Sequence, residues 1–370
     1  MIYILFFVLC IFYSCNSQNN SIIFSTKKAK SNRNESEKII KHYESDEQKL
    51  AAAKFLIQHM AFHYNKNNSN EVNLQDLYDK HAAISEKYNW MKTPLPWRQE
   101  IDSLEKAYAH QIAAFSFLDY KSDIETIKSE WLIKQIDLAF EAWQNNIYTR
   151  EYPFEMFCEF ILPYRFKEGI ILEDSKEMFY KRHHTIFKDS VGASFIQRID
   201  SILYYYKDIR YNFFAGDRIP INSVKTFEQI KYGQCGDRSW FNSLVLASSG
   251  IASSIDFAPS QGNRNNSHTW NAIITPSQTI PFEPFWDEDR WKYKIMYNNK
   301  TTDRKWGKLR FAKVYRNTFS INKTGPLFDP NISKEDIPNL FKNPRIKDVS
   351  NEYFDTTNVN ILIPKDIKEV

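Results

Sequence analysis

The sequence predicts an α+β protein, in which an α-helical N-terminal domain precedes a core of one helix packed on an antiparallel sheet. Helical periodicity dominates residues 39–210, whereas glycines and prolines punctuate short apolar runs in residues 211–325. Residues 326–370 form a short β-forming tail with two β-like runs, 348–354 and 358–363. These two runs indicate either a small β-domain that begins there or a strand that returns to the core.

The composition agrees with a folded chain that binds no nucleic acid. Hydrophobic residues make up 42% and charged residues 25% of the 370 residues, which excludes a wholly disordered chain and a coiled-coil rod. The net charge of +4 is too small to indicate a nucleic-acid-binding protein.

The N-terminus predicts export and lipid attachment. Residues 1–14 resemble a secretory signal peptide, because their apolar run of 12 residues is shorter than the roughly 20 that span a bilayer. The small residue before Cys15 is typical of a bacterial lipoprotein, with cleavage before Cys15 and lipid on its thiol. The polar residues 15–38 then form a flexible tether. We expect a lipoprotein anchored at the outer membrane or cell surface, or otherwise a periplasmic or secreted protein.

The mature chain would keep two cysteines, Cys158 and Cys235, because Cys10 lies in the signal and Cys15 carries lipid. Two thiols are too few for a disulfide framework. A single bridge between them is one interpretation. A core Cys158 and a free, reactive Cys235 is the interpretation that we favour.

Apolar residues recur every three to four positions through the N-terminal domain, which predicts a series of helices. These cover residues 46–64, 73–88, 98–118, 128–144, 174–187 and 193–207. Pro94 and Pro96 are expected to break the chain between the second and third helices. The apolar and aromatic block 154–166 is expected at the centre of this domain.

Cys235 is predicted to lie at the N-terminus of a helix. A turn at residues 233–236 precedes the helix 237–248, which Gly250 ends. The unpaired backbone N–H groups and the helix dipole favour a thiolate there, and the same N–H groups can stabilise an oxyanion.

Two further strands bring a base and a carboxylate to this cysteine. A strand at 255–258 leads to the strand 268–275, in which alternation places His268 and Trp270 on one face. Glu283 lies in the next run, 280–285, after a connection of four residues that suits a hairpin. A carboxylate beside the histidine strand can hold the second ring nitrogen, as in a nucleophile–base–orienter triad.

These motifs resemble the transglutaminase-like superfamily, which has a papain-like core. The matching segments are G-Q-C-G-D before a helix ending in S-G-I, then H-T-W-N, then F-E-P, across about 100 of the 370 residues. The tryptophan two residues after the histidine is common in this superfamily. The intervals of 33 residues from Cys235 to His268 and 15 from His268 to Glu283 are typical of its bacterial members. The whole chain also resembles secreted Bacteroidetes lipoproteins with such a domain.

The resemblance implies that Cys235 attacks an amide carbonyl of a peptide, glycopeptide or protein substrate, with His268 as base and Glu283 as its orienter. Water or an amine then resolves the acyl-enzyme, and no metal or organic cofactor is required. We expect three residues in the substrate cleft: Gln234, Trp240 and Trp270.

Two departures from the family pattern leave alternatives. Glu283 stands where most members carry Asp, so Asp287 is a second candidate orienter, and Asn271 follows Trp270 where many members carry an acidic or apolar residue. A different class of function is a non-catalytic, surface-anchored binding or scaffold protein that keeps the fold. A third is an assembly partner in a surface uptake system, in which cell-surface proteins dock on the helical domain.

Overall fold

The structure is a computed structural model that describes residues 29, 32–66, 72–88, 94–188, 192–211, 216, 218–260, 266–283 and 313–354. Within these ranges the chain combines helices with an antiparallel sheet, as the α+β prediction expects. The predicted signal peptide with Cys15, the candidate orienter Asp287 and the β-like run 358–363 lie outside the described residues.

Helices form most of the N-terminal part. In chain order they are α1 (Arg33–His42), α2 (Glu47–Met60), α3 (Gln75–Lys87), α4 (Pro94–Ala107), α5 (Ala109–Ser116), α6 (Asp123–Thr126), α7 (Ser129–Asn145), α8 (Phe154–Met156), α9 (Ser175–His183) and α10 (Phe195–Tyr205). Two short strands, β1 (Tyr64–Lys66) and β2 (Tyr120–Ser122), pair antiparallel among them.

Several boundaries differ from the sequence prediction, and the single helix predicted at 98–118 is two helices, α4 and α5. Residues 33–38, expected in the tether, belong to α1, which the Asn32 side chain fixes by donating to the Ile127 carbonyl at 2.8 Å. Helix α2 ends at Met60. The predicted break between the second and third helices lies between Lys87 and Pro94, and Pro94 and Pro96 themselves lie in the first turn of α4. A proline is tolerated there because the N–H that it lacks would be unpaired anyway.

The apolar block 154–166 lies in the middle of the helical part, as predicted. Helix α8 continues as a π-helical turn, Phe157–Ile161. Phe157, Cys158 and Ile161 are buried in a cluster with residues of α2 and α7. The same cluster includes Ala272 from the sheet, so apolar packing crosses from the helical part into the C-terminal half.

The C-terminal half contains a five-stranded antiparallel sheet. Its strands are β5 (Ser253–Ala258), β6 (His268–Ile274), β7 (Thr279–Phe282), β8 (Tyr315–Asn317) and β9 (Ile346–Asp348), in the spatial order β7-β6-β5-β8-β9. Before the sheet come β3 (Arg210–Tyr211), α11 (Val224–Ile230), β4 (Tyr232–Gly233) and α12 (Cys235–Ser248).

The predicted β-like run 348–354 is only partly a strand. Strand β9 pairs with β8, so this segment returns to the core sheet. The chain then turns into helix α13 (Ser350–Tyr353), because the Asp348 carboxylate accepts from the Ser350 N–H at 2.9 Å and closes a turn. The strand prediction was therefore wrong for residues 350–353.

Helix α12 lies across β5 and β6 and is covered on its other sides by α7 and α9. Every residue from Arg238 to Ser248 is buried, and Phe241, Val245 and Leu246 pack with Ile255 and Ile273 of the sheet. This burial fixes the helix firmly and leaves its first turn, which carries Cys235, at the edge of the packed region.

Candidate active site

Strand β4 leads into α12 at Gly233, where there is no room for a side chain. A Cβ atom on Gly233 would lie 2.8 Å from the Phe227 ring and 2.9 Å from Ile221. Gln234 then caps the helix, and its backbone N–H donates to the Asp237 carboxylate at 3.0 Å. Cys235 is the first helical residue, as predicted, and its thiol is half-buried.

Space for a substrate remains beside the cysteine. A Cβ atom on Gly236 would meet no described atom within 4 Å. The first-turn N–H groups of a helix have no intrahelical partner, so they are available to an oxyanion that forms on a carbonyl attacked by Cys235.

His268 and Glu283 are brought together by the β6–β7 hairpin that the sequence predicts. The strands pair antiparallel with Asn271 opposite Phe282, so the next pair in the register is Trp270 and Glu283. His268 is two residues further along the same face. Its Nε2 hydrogen-bonds Oε1 of Glu283, and the two side chains are only 14% and 5% exposed.

The electrostatics of His268 connect it to both partners. Burial lowers the pKa of His268, but the Glu283 carboxylate and the Cys235 thiol outweigh burial and raise this pKa to about 10. The imidazole is therefore protonated at neutral pH, which is the form that stabilises a neighbouring thiolate. Because Glu283 holds Nε2, Nδ1 is the ring nitrogen left for the thiol.

Two of the three predicted cleft residues are buried. Trp240 and Trp270 are 2% and 1% exposed, and Trp240 borders a small cavity. Trp240 packs with Phe227 in the core, since α12 buries that face. Trp270 lies beside the imidazole of His268, with ring centroids 5.8 Å apart. Gln234 is exposed next to Cys235 and remains in place for a role in the cleft.

Asn271 fastens the histidine strand to the cysteine helix. Its buried side-chain amide donates to the Ser239 carbonyl at 2.9 Å and to Ser243 Oγ at 3.0 Å, and its oxygen accepts from Asn242 at 3.0 Å. The sequence singled out Asn271 only as a difference from the transglutaminase-like motif that the chain resembles. The signal that was missed is the polar stripe Ser239, Asn242 and Ser243, which lies on an otherwise apolar helix at helical spacing.

A chain of hydrogen bonds fixes the position of the Trp270 side chain. Its Nε1 donates to the Tyr353 hydroxyl at 2.9 Å, and that hydroxyl donates to Asp256 at 2.6 Å. Asp256 is fully buried and also accepts two hydrogen bonds from Arg316, both of 2.8 Å. The first residue of this network, Trp270, contacts the imidazole, so α13 supports the site from the face of the sheet that carries Trp270 and His268.

The second cysteine of the described chain is remote from this chemistry. Cys158 and Cys235 are both free thiols, so no bridge joins them. Burial raises the pKa of the Cys158 thiol, and the side chain packs in the helical core as expected. Within the described ranges His, Cys, Asp and Glu side chains do not gather in groups of three or more that could hold a metal ion.

The chain matches no family model, no curated protein and no solved structure. Among the residues that the structure describes, no helix combines the length and apolar character needed to cross a bilayer.

Proposed function

We propose that this protein is a cysteine-dependent amide-bond hydrolase or acyl transferase of the transglutaminase-like type, acting on a peptide or glycopeptide. The observation that carries the proposal is His268, whose imidazole interacts with the Glu283 carboxylate on one side and the Cys235 thiol on the other. A papain-like core is the finer fold proposal. It is supported by the nucleophile at the start of α12 and by the base and carboxylate on neighbouring strands beneath that helix.

The chemistry follows the order nucleophile, base, orienter. The Cys235 sulfur adds to the amide carbonyl carbon, and the resulting oxyanion accepts hydrogen bonds from N–H groups at the start of α12, with the Gln234 side chain as a further candidate donor. Collapse of this intermediate breaks the C–N bond, and the His268 imidazolium gives its proton to the departing amine. The product is a thioester on Cys235.

Resolution of the thioester reverses these roles. Neutral His268 takes a proton from water or from an acceptor amine, whose oxygen or nitrogen forms the new bond to the acyl carbon. The thiolate of Cys235 leaves, and the imidazolium is restored. Glu283 keeps the ring oriented throughout by accepting from Nε2. Water is the favoured acceptor, because it is available unless a closed site excludes it.

Thiol reactivity tests the proposal directly. An ordinary thiol with a pKa of about 8.5 loses roughly tenfold in alkylation rate for each pH unit below that value. We expect iodoacetamide to label Cys235 at a nearly constant rate between pH 6 and 8 and to follow the ordinary profile in His268→Gln. His183→Gln is the matched control, because His183 is a buried histidine that hydrogen-bonds Tyr206 instead.

Acyl transfer is tested with p-nitrophenyl acetate. Release of p-nitrophenol with acetylation of Cys235, absent in Cys235→Ala, supports the enzyme, and trapping by hydroxylamine in place of water reports on the choice of acceptor. If Cys235 is alkylated at the same rate and with the same pH dependence as free glutathione and is never acetylated, the enzyme proposal is wrong. That result would leave the binding or scaffold function in its place.

A further inference from the structure

A wide cleft opens beside the start of α12. It has a volume of about 490 Å³ and is lined by Gln234 and Asp237 of the helix entrance. Its opposite wall is formed by residues from β1, β2 and the segment before α11, among them Lys66, Tyr120, Arg218 and Ile219. A molecule in this cleft therefore lies next to the residue that precedes Cys235.

The acidic groups of the cleft are already paired. The Asp237 carboxylate accepts from Lys167 Nζ at 2.5 Å. The Glu168 carboxylate accepts from Arg345 Nη1 at 2.8 Å and hydrogen-bonds His63 Nδ1 at 2.9 Å. These contacts leave little negative charge to act on a ligand.

Two basic groups line the cleft without a hydrogen-bonded carboxylate partner among the described residues. Lys66 Nζ donates to the carbonyls of Phe115 and Ser116, at 3.1 and 2.9 Å, and forms no ion pair with a carboxylate of the described chain. An ammonium has three N–H groups, and Nζ also lies over the Tyr120 and Phe115 rings, 4.9 and 5.3 Å from their centroids, so a ligand carboxylate would compete with these cation–π contacts for the third N–H. The Arg218 side chain is 79% exposed, and its Nε lies 3.6 Å from Glu105, beyond ordinary hydrogen-bond distance.

We propose that this cleft binds a carboxylate of the acyl substrate, so that the substrate class is an acidic peptide. Arg218 and Lys66 are its anion-binding residues, since a guanidinium and an ammonium both donate to carboxylate oxygens. Tyr120, which is 56% exposed, supplies apolar surface for the aliphatic stem of a glutamyl side chain. The proposal rests on the proposed function, because it places the carboxylate in the substrate that Cys235 attacks.

The test compares two thiol-reactive dipeptides, iodoacetyl-Gly-Glu-amide and iodoacetyl-Gly-Gln-amide, which differ by one carboxylate. The labelling rates at Cys235 are measured by mass spectrometry in wild type, Arg218→Gln and Lys66→Gln. Arg150→Gln is the matched control, because Arg150 is 53% exposed and does not line the cleft. Arg218→Gln keeps the test sound if loss of the Lys66 contacts with α5 impairs folding.

We expect wild type to react about two- to fivefold faster with the glutamyl probe, as for a pair of partly exposed opposite charges. The ratio should fall towards one in Arg218→Gln and Lys66→Gln, stay unchanged in Arg150→Gln, and shrink with added salt. A wild-type ratio of one, or a ratio that both cleft variants preserve, overturns the proposal.

If the cleft does not bind a carboxylate, the experiments give a different result than if Cys235 is not a catalytic nucleophile. The pH profile with iodoacetamide reports whether Cys235 is an activated thiolate, and the probe ratio is defined even for an ordinary thiol. If Cys235 reacts with neither probe, binding of acetyl-Gly-Glu-amide and acetyl-Gly-Gln-amide is measured by calorimetric titration instead. We expect the glutamyl peptide to bind more tightly to wild type, and equal affinities would overturn the proposal.

Discussion

His268 is the residue whose charge distinguishes this site from a chance cluster. An isolated histidine has a pKa near 6.5, whereas Glu283 and Cys235 outweigh burial and raise that of His268 to about 10. Its folded-state pKa lies above the unfolded value, so protonation stabilises the folded chain. That stabilisation is complete below pH 6.5 and is lost as the pH rises towards 10.

An NMR titration of the imidazole nitrogens measures this directly. We expect His268 to remain an imidazolium at pH 8, and its pKa to fall in Cys235→Ser, because the thiol is one of the groups that raises it. His183 is an internal reference, since burial lowers its pKa to about 4 and it should be neutral at pH 8. A His268 that titrates near 6.5 in wild type would contradict the coupling to both partners.

The sequence predicted the three residues of this site because each sits in a local pattern. Two glycines flank the Cys235 position, alternation sets the face of His268, and a short connection brings Glu283 beside it. The role of Asn271 in joining β6 to α12 by hydrogen bonds was not predicted. Its partners are spread along α12 and come into contact with it only after that helix packs on the sheet.

At the scale of elements, helix α13 is the least expected support of the site. The run 348–354 was predicted as a strand, yet only Tyr353 of this helix is a strong β-former, and a turn closed by Asp348 starts a helix. That helix delivers the Tyr353 hydroxyl to Trp270 and Asp256. The strand prediction failed here because the Asp348 carboxylate accepts from both the N–H and the hydroxyl of Ser350, which closes a turn at the end of β9.

Tyr353→Phe removes this hydroxyl and keeps the ring. We expect the free energy of unfolding to fall by about 1–3 kcal/mol, because Trp270 Nε1 and Asp256 each lose a buried partner. A structural loss alone would leave the reactivity of Cys235 unchanged, whereas a positioning role should alter the pH profile of its alkylation through Trp270 and His268.

Tyr205→Phe is the control for that variant, since the Tyr205 side chain is 61% exposed. It should change neither the urea midpoint nor the alkylation profile. A Tyr353→Phe protein with wild-type stability and profile would show that α13 does not support the site.

At the scale of the whole molecule, the helical part and the sheet share their apolar cores. Ala272 packs with the helices, and Ile199 and Phe179 pack with α12 and the sheet. Periodicity identified the helices correctly in type but not these contacts, because it reports which face is apolar and not which distant face covers it.

Gly250 shows how closely the two parts approach. Its φ is +72°, and a Cβ atom there would lie 2.3 Å from the Ala142 carbonyl oxygen of α7. We expect Gly250→Ala to lower the free energy of unfolding by about 3 kcal/mol or more, since backbone strain and a backbone clash add.

Gly192→Ala separates these two costs. Gly192 has φ +84° but no described atom within 4 Å of an added Cβ, so it carries the strain alone, about 1 kcal/mol. The free energy of unfolding of both variants is measured by urea denaturation. If it falls equally in the two, the close approach of α7 to Gly250 adds no cost to the alanine substitution.

The position of Tyr353 in the chain also determines when, during translation, the hydrogen bonds that support the site can be completed. Translation proceeds from the N-terminus, so Cys235, His268 and Glu283 leave the ribosome before the residue that anchors Trp270, which lies 83 positions after it. Until that residue emerges, the buried Asp256 and Trp270 lack a partner that completes their hydrogen bonds. A nascent chain therefore carries all three chemical groups without their final support, and the cysteine acquires its mature surroundings only late in translation.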